Sequence, residues 1–158
     1  MEFSIKGGEL SKLKTDCVIV GVFVSGGAGD SRKLSKAAQV LDKAAKGALS
    51  AAAGNGDLSG KVGSTLLLQS VPGLAAQRVL LVGCGAEKDY DKKIFANAMT
   101  AAFKALKSTA ATDVVISLNT VLNAADLLWK AEQTAILAIA AAYRFNQLKS
   151  KVDDKRVG

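Results

Sequence analysis

The chain has no histidine, only two cysteines (Cys17 and Cys84), a single proline (Pro72) and 5% aromatic residues. Without histidine there is no Ser-His-Asp or Cys-His relay and no histidine-ligated zinc site. Two cysteines cannot build a disulfide framework. Both fall in or beside stretches that read as strands, so they are expected to be buried thiols in a reducing compartment, with a reactive thiol at Cys84 as the alternative. The longest uninterrupted apolar run, from Ala135 to Tyr143, is too short to span a bilayer. The N-terminus lacks the apolar core of a signal peptide, and a cytoplasmic location is expected. Scarce aromatics leave the core to Val, Leu, Ile and Ala, and none interleaves the basic helix stripes described below, which speaks against stacking of single-stranded nucleic acid there.

What the sequence does have is an apolar fraction of 49% over 158 residues, enough for one globular domain with a substantial core, and a formal charge of +7. The excess of positive charge favours solubility and attraction to polyanions. The organising stretch is Arg78-Val79-Leu80-Leu81-Val82-Gly83-Cys84-Gly85. Its apolar run does not alternate with polar residues, so it reads as a central strand buried on both faces, ended by the glycines. Cys17 to Phe23 has the same character. Residues 2–6 alternate like a half-buried strand.

The remaining elements follow from periodicity. A single helix is predicted from about Ser31 to Ala53, with Leu34, Ala38, Leu41, Ala45 and Ala48 on one side and Arg32, Lys36, Gln39, Lys43 and Lys46 on the other. Ser64–Val71 and Arg78–Val82 are strands joined closely enough to be antiparallel. Asp91 can cap a helix running to about Lys107, with Phe95, Met99, Ala102 and Leu106 inward and Lys93, Asn97, Thr100, Lys104 and Lys107 outward. Asp113–Leu118 is a further strand, and 124–149 a long helix, apolar all round in its middle. The charged tail 151–158 reads as a linker, so the chain looks like part of something longer. The fold class is α/β, with three α/β/α layers around a mixed, mostly parallel sheet.

Each motif has a plain structural reading beside a functional one. Gly83-Cys84-Gly85 follows a strand as a dinucleotide fingerprint does, but position 88, where a third glycine belongs, is Lys88. The glycine-rich loop Ser25–Ser31 can cradle a phosphate through backbone N–H groups but lacks the Gly-Lys-Ser/Thr ending of a P-loop. Glu87, Asp89 and Asp91 suit the start of a helix better than an acid–base pair. No catalytic residue and no metal ligand is assigned. The candidate DNA-contacting residues are two basic stripes, Arg32, Lys36, Lys43 and Lys46, and Lys93, Lys104 and Lys107. They read either as solvated helix faces or as phosphate contacts.

Arg78 to Gly85, with Gly60-Lys61-Val62-Gly63-Ser64-Thr65-Leu66-Leu67-Leu68, Val71-Pro72, the opening Met1-Glu2-Phe3-Ser4, Val20-Gly21-Val22-Phe23 and Ala142-Tyr143-Arg144-Phe145-Asn146-Gln147-Leu148-Lys149-Ser150, resembles the N-terminal domain of the cytosolic leucine aminopeptidases, most closely the bacterial form called aminopeptidase A. The match runs in order over nearly the whole chain; the Ser25–Ser31 loop departs from it. The resemblance implies a macro-domain-like fold over 1–150 and a linker from 151 toward a C-terminal catalytic domain. It implies a parent that is a hexameric leucyl aminopeptidase with two divalent metal ions (Mn or Zn) in that domain, and no cofactor in this one. The family's N-T-D-A-E-G-R metal motif does not occur here. The role that transfers is accessory: hexamer assembly and, as in some bacterial members, contact with double-stranded DNA and transcriptional regulation, with no membrane partner. The alternatives are a stand-alone macro-like module binding a nucleotide such as ADP-ribose at Gly83–Gly85 and the Ser25–Ser31 loop, and a free-standing DNA-binding protein.

Overall fold

The computed structural model describes residues 10–25, 31–55, 58–111, 113–117 and 135–136. The strand expected at 2–6, most of the helix expected at 124–149 and the tail 151–158 lie outside them; Ala135 and Ile136 are helical. Strand β1 (Cys17–Ser25) is at the centre. It pairs in parallel with β4 (Arg78–Ala86), matching Val18 to Val79 and Val22 to Gly83. Its other side is shared: β5 (Val114–Ile116) runs parallel to Cys17–Ile19, and β2 (Ser31–Leu34) antiparallel to Val22–Ser25. Strand β3 (Thr65–Gln69) lies antiparallel on the outer side of β4. The sheet is mixed as expected, though its pairings among the described residues divide evenly between parallel and antiparallel rather than being mostly parallel.

That even division comes from β2. Ser31–Leu34, expected as the start of a helix, pairs antiparallel with β1 instead, with Ser25 opposite Ser31 and Val22 opposite Leu34. The helix begins only at α1 (Lys36–Ala44), where Ser35 accepts the Ala38 N–H at 3.2 Å. Nor does it run on to Ala53. Lys46 and Gly47 both take positive φ, 55° and 86°, and the chain restarts as α2 (Ala48–Gly54). Positive φ suits glycine and breaks a right-handed helix.

The two helical layers sit on opposite faces of the sheet. Val18, Val20 and Val22 of β1 and Val79 and Leu81 of β4 pack with Ala38, Leu41, Ala45, Leu49 and Ala53 of the α1–α2 segment. The alternate residues Cys17, Ile19, Phe23, Leu80, Val82 and Cys84 pack with Phe95, Ala98, Met99 and Ala102 of α3 (Lys92–Leu106). Period-2 strands between period-3.6 helices thus give both faces an apolar core, aliphatic on the α1–α2 side and with Phe23 and Phe95 on the α3 side. Asp91 caps α3, accepting the Ile94 N–H at 2.8 Å, and the lysines expected to face outward on α3 are exposed. Leu106 is only half-buried.

Candidate functional site

The glycines of Gly83-Cys84-Gly85 do not end β4; the strand runs through them to Ala86. The reason is the turn at 60–64, which is laid across this end of the strand. The Gly83 N–H donates to the Ser64 carbonyl at 2.7 Å, its carbonyl accepts the Gly63 N–H at 3.2 Å, and the Gly85 N–H donates to the Gly60 carbonyl at 2.9 Å. A Cβ on Gly83 would lie 2.1 Å from the Ser64 hydroxyl and 2.2 Å from the Lys61 carbonyl. Gly83 is therefore a close-approach glycine rather than a phosphate cradle, and its amide and that of Gly85 are already engaged. The other half of the nucleotide reading, residues 26–30 of the loop, lies outside the described residues.

Cys84 has no solvent exposure, and burial pushes its thiol up to about 12, only partly offset by a backbone hydrogen bond at Val22. Burial also raises Cys17 to about 11, with Arg78 pulling the other way. A protonated, inaccessible thiol is a poor nucleophile, so the reactive reading of Cys84 is set aside. Beside it, Tyr90 packs edge-on against Phe23 with ring centroids 5.6 Å apart, and its buried hydroxyl has no hydrogen-bond partner among the described residues. Burial, then the neighbouring Cys84, holds that phenol protonated well above the usual range.

The carboxylates near α3 have structural work. Glu87 pairs with Lys33 of β2 at 2.7 Å, and Asp91 is the cap. Among the described residues no three His, Cys, Asp or Glu side chains gather to hold a metal ion.

The basic residues separate into two surfaces. Lys36 and Lys43 are exposed on α1, and Lys46 is exposed at the break after it. Lys93, Lys104 and Lys107 are exposed along α3 and its C-cap, on the other side of the sheet. None of these six lysines forms an ion pair among the described residues. Lys43 and Lys104 each stand in the last turn of a helix, where a cation also suits the dipole. Arg32 does not belong with them. It is on β2, half-buried, with its Nε donating to the Leu58 carbonyl at 2.7 Å. Lys12 is exposed on a short 3-10 turn (Leu10–Lys12) that packs against α1, but it has an interaction of its own and does not join the unpaired set. No helical periodicity links Lys12 to α1, so no pattern in the sequence points to it.

At the other end of the parallel strands is a shallow hollow of about 370 Å³ lined by Lys14, Thr15, Asp16, Ala75, Gln77 and Asp113. Thr15 donates to the Asp113 carbonyl at 2.9 Å, and the Asp16 carboxylate accepts the Asp113 N–H at 3.2 Å. Its lining comes from three separate segments, which is why no motif announces it.

A mixed sheet between helical layers, with alternate strand residues feeding two cores, defines a macro-domain-like α/β/α protein. Among solved structures, the macrodomain of Mycobacterium tuberculosis DarG matches with a TM-score of 0.56 at 13% identity, over 90% of this chain and 89% of that one. The bottromycin maturation enzyme BotP matches with a TM-score of 0.53 at 21% identity, over 91% of this chain and 25% of that one. At those identities the likeness is one of fold alone. Sequence goes further. Residues 19–152 match the N-terminal domain of the cytosol aminopeptidase family, and the chain belongs to that family. Proteins named probable cytosol aminopeptidase from Dechloromonas aromatica and Methylobacillus flagellatus are 45% and 46% identical to it, covering 99% and 100% of this chain. This chain spans only 30% and 31% of their lengths. No helix among the described residues is long and apolar enough to cross a membrane.

Proposed function

We propose that this chain is the non-catalytic N-terminal domain of a cytoplasmic, metal-dependent leucyl aminopeptidase. On this reading residues 1–150 form the accessory domain and 151–158 begin the linker to a C-terminal catalytic domain. That domain would hold the two divalent ions and release N-terminal amino acids from peptides. The accessory domain serves hexamer assembly and contacts double-stranded DNA. Family membership at under a third of the relatives' length supports the first part. The observation that carries the DNA role is the set of exposed lysines on α1 and α3 without ion pairs among the described residues. Lys36, Lys43 and Lys46 lie closer together along the chain than Lys93, Lys104 and Lys107, and make the surface tested first.

One preparation tests both parts. Fluorescence anisotropy of a labelled duplex, titrated at low and at physiological salt, is expected to show binding that weakens steeply with salt, since each neutralised phosphate releases counterions. Lys36→Ala/Lys43→Ala/Lys46→Ala is expected to weaken binding about tenfold or more at low salt. Arg32 is left intact because it holds the Leu58 carbonyl. Absence of binding at low salt, or an unaffected triple variant, would refute DNA contact through α1. The same sample is expected to give no hydrolysis of a leucyl chromogenic substrate with Mn²⁺; turnover above blank would refute the non-catalytic assignment.

A further inference from the structure

We propose that the outer edge of β3 is a self-association site, at which a second copy of this chain adds its own β3 antiparallel across a twofold axis through Leu67. The inference rests on the assembly reading above and names the surface through which it acts.

β3 ends the described sheet, with β4 on one side only. The hydrogen bonds flanking it fix which backbone groups face away from β4. Gly83 donates to Ser64, and Ser70 donates to Gln77. Bonded and non-bonded pairs alternate along an antiparallel ladder. Leu66 and Leu68 therefore bond to β4, and the N–H and C=O groups of Thr65, Leu67 and Gln69 point outward. An edge of this kind is a template for another strand unless it is blocked by charge, proline or a bulge. β3 has none of these: its register with β4 is continuous, and its sequence is Thr-Leu-Leu-Leu-Gln.

Charge decides which occupant fits. The chain carries +7, and its helices put lysines on both faces of the sheet. Two copies meeting through those faces would bring like charges together. No charged residue lies between Val62 and Gln77, so the β3 edge is where two such basic chains can approach without that cost.

The strand also fits itself. Antiparallel pairing about Leu67 sets Thr65 opposite Gln69, Leu66 opposite Leu68, and Leu67 opposite its counterpart. The residues whose backbone groups point outward, Thr65, Leu67 and Gln69, then meet one another, and each of those pairs exchanges both N–H···O bonds. Leu66 and Leu68 already pack against the α1-side core and Leu67 against the α3-side core. Joining two copies thus continues both cores across the axis, as an isologous contact does.

The test is sedimentation equilibrium with amide hydrogen exchange on the 158-residue chain over a concentration series. The expected result is a mass that doubles with concentration, and protection at Thr65, Leu67 and Gln69 that rises in step. Thr65→Lys/Gln69→Lys places like charges opposite one another in both outer pairs and is expected to weaken the dimer about tenfold or more. Thr65→Lys/Gln69→Glu alters the same two positions but places opposite charges there, and is expected to restore it. A dimer indifferent to the double lysine variant overturns the edge and leaves assembly standing. A chain that is monomeric throughout counts against both. Protection of the three amides independent of concentration means that another segment of this chain covers the edge, and also overturns the proposal.

Discussion

The two faces of the sheet are built from similar sequence and finished differently. Residues 31–53 and 91–107 each show an apolar stripe opposed by lysines. The second stretch forms one helix of 15 residues, capped by Asp91. The first forms a strand, a helix of nine residues, a left-handed break and a helix of seven. The periodic pattern is compatible with both outcomes. The difference comes from partners: β5 covers β1 only over Cys17–Ile19, which leaves Val22–Ser25 open for residues 31–34, and among the described residues no strand edge competes for 92–106. A hydrophobic period states which side of a segment will be buried, but not whether the segment is continuous.

If the α3 face depends on one continuous helix, its largest anchor should be costlier to remove than that of the broken face. Phe95 and Leu41 are both fully buried. Phe95→Ala is expected to cost about 4 kcal/mol and Leu41→Ala about 3 kcal/mol in urea denaturation. Equal losses, or the reverse order, would show that the two layers share one tightly coupled core.

A sharper distinction is chemical. Both cysteines belong to the α3-side core. The Cys84 thiol rises from 9.0 to about 12 on folding, so the unfolded chain loses that proton first as pH rises. Its contribution to stability is complete below pH 9 and is lost as pH climbs from 9 toward 12. The Cys84 contribution is expected to fall by on the order of 2 kcal/mol by about pH 11. Cys84→Ala should flatten this alkaline slope, whatever it costs at neutral pH. An unchanged slope would mean that other groups dominate.

The smallest effect tests the break itself. A Cβ placed on Gly47 would make only an ordinary van der Waals contact, with the Ser50 hydroxyl at 3.8 Å, but the residue's φ is 86°. Gly47→Ala should therefore cost only the backbone strain, about 1 kcal/mol, seen as a drop in Tm of about 2–4 °C. A neutral or stabilising result would mean that the α1–α2 break relaxes easily into longer helix, and that the two faces differ less than they look.

Much of this is legible without the fold. Continuous apolar runs mark β1 and β4 as central, the short Pro72–Gln77 joint marks β3–β4 as antiparallel, and Asp91 marks the start of α3. These rest on local rules: burial of an unbroken apolar strand, loop length, and a cap that satisfies free amides. Arg32 shows where such rules stop. Its spacing places it with Lys36 and Lys43, and only the β1 pairing turns it toward Leu58. Gly83 is similar: a glycine after a strand looks like a turn until the 60–64 segment is seen to lie across it. The hollow at Lys14, Asp16 and Asp113 has no local signature at all.

By itself, then, the sequence determined the aliphatic two-faced sheet, the start of α3, the absence of any histidine chemistry and the resemblance to the aminopeptidase N-terminal domain, because each depends on residue type and near neighbours. Tertiary structure alone decided that 31–34 is a strand, that β4 continues through its glycines, that the basic residues form two separate surfaces, and that β3 offers an uncharged edge. Those outcomes depend on which distant segment reaches a backbone group or an open flank, and no local pattern carries that information.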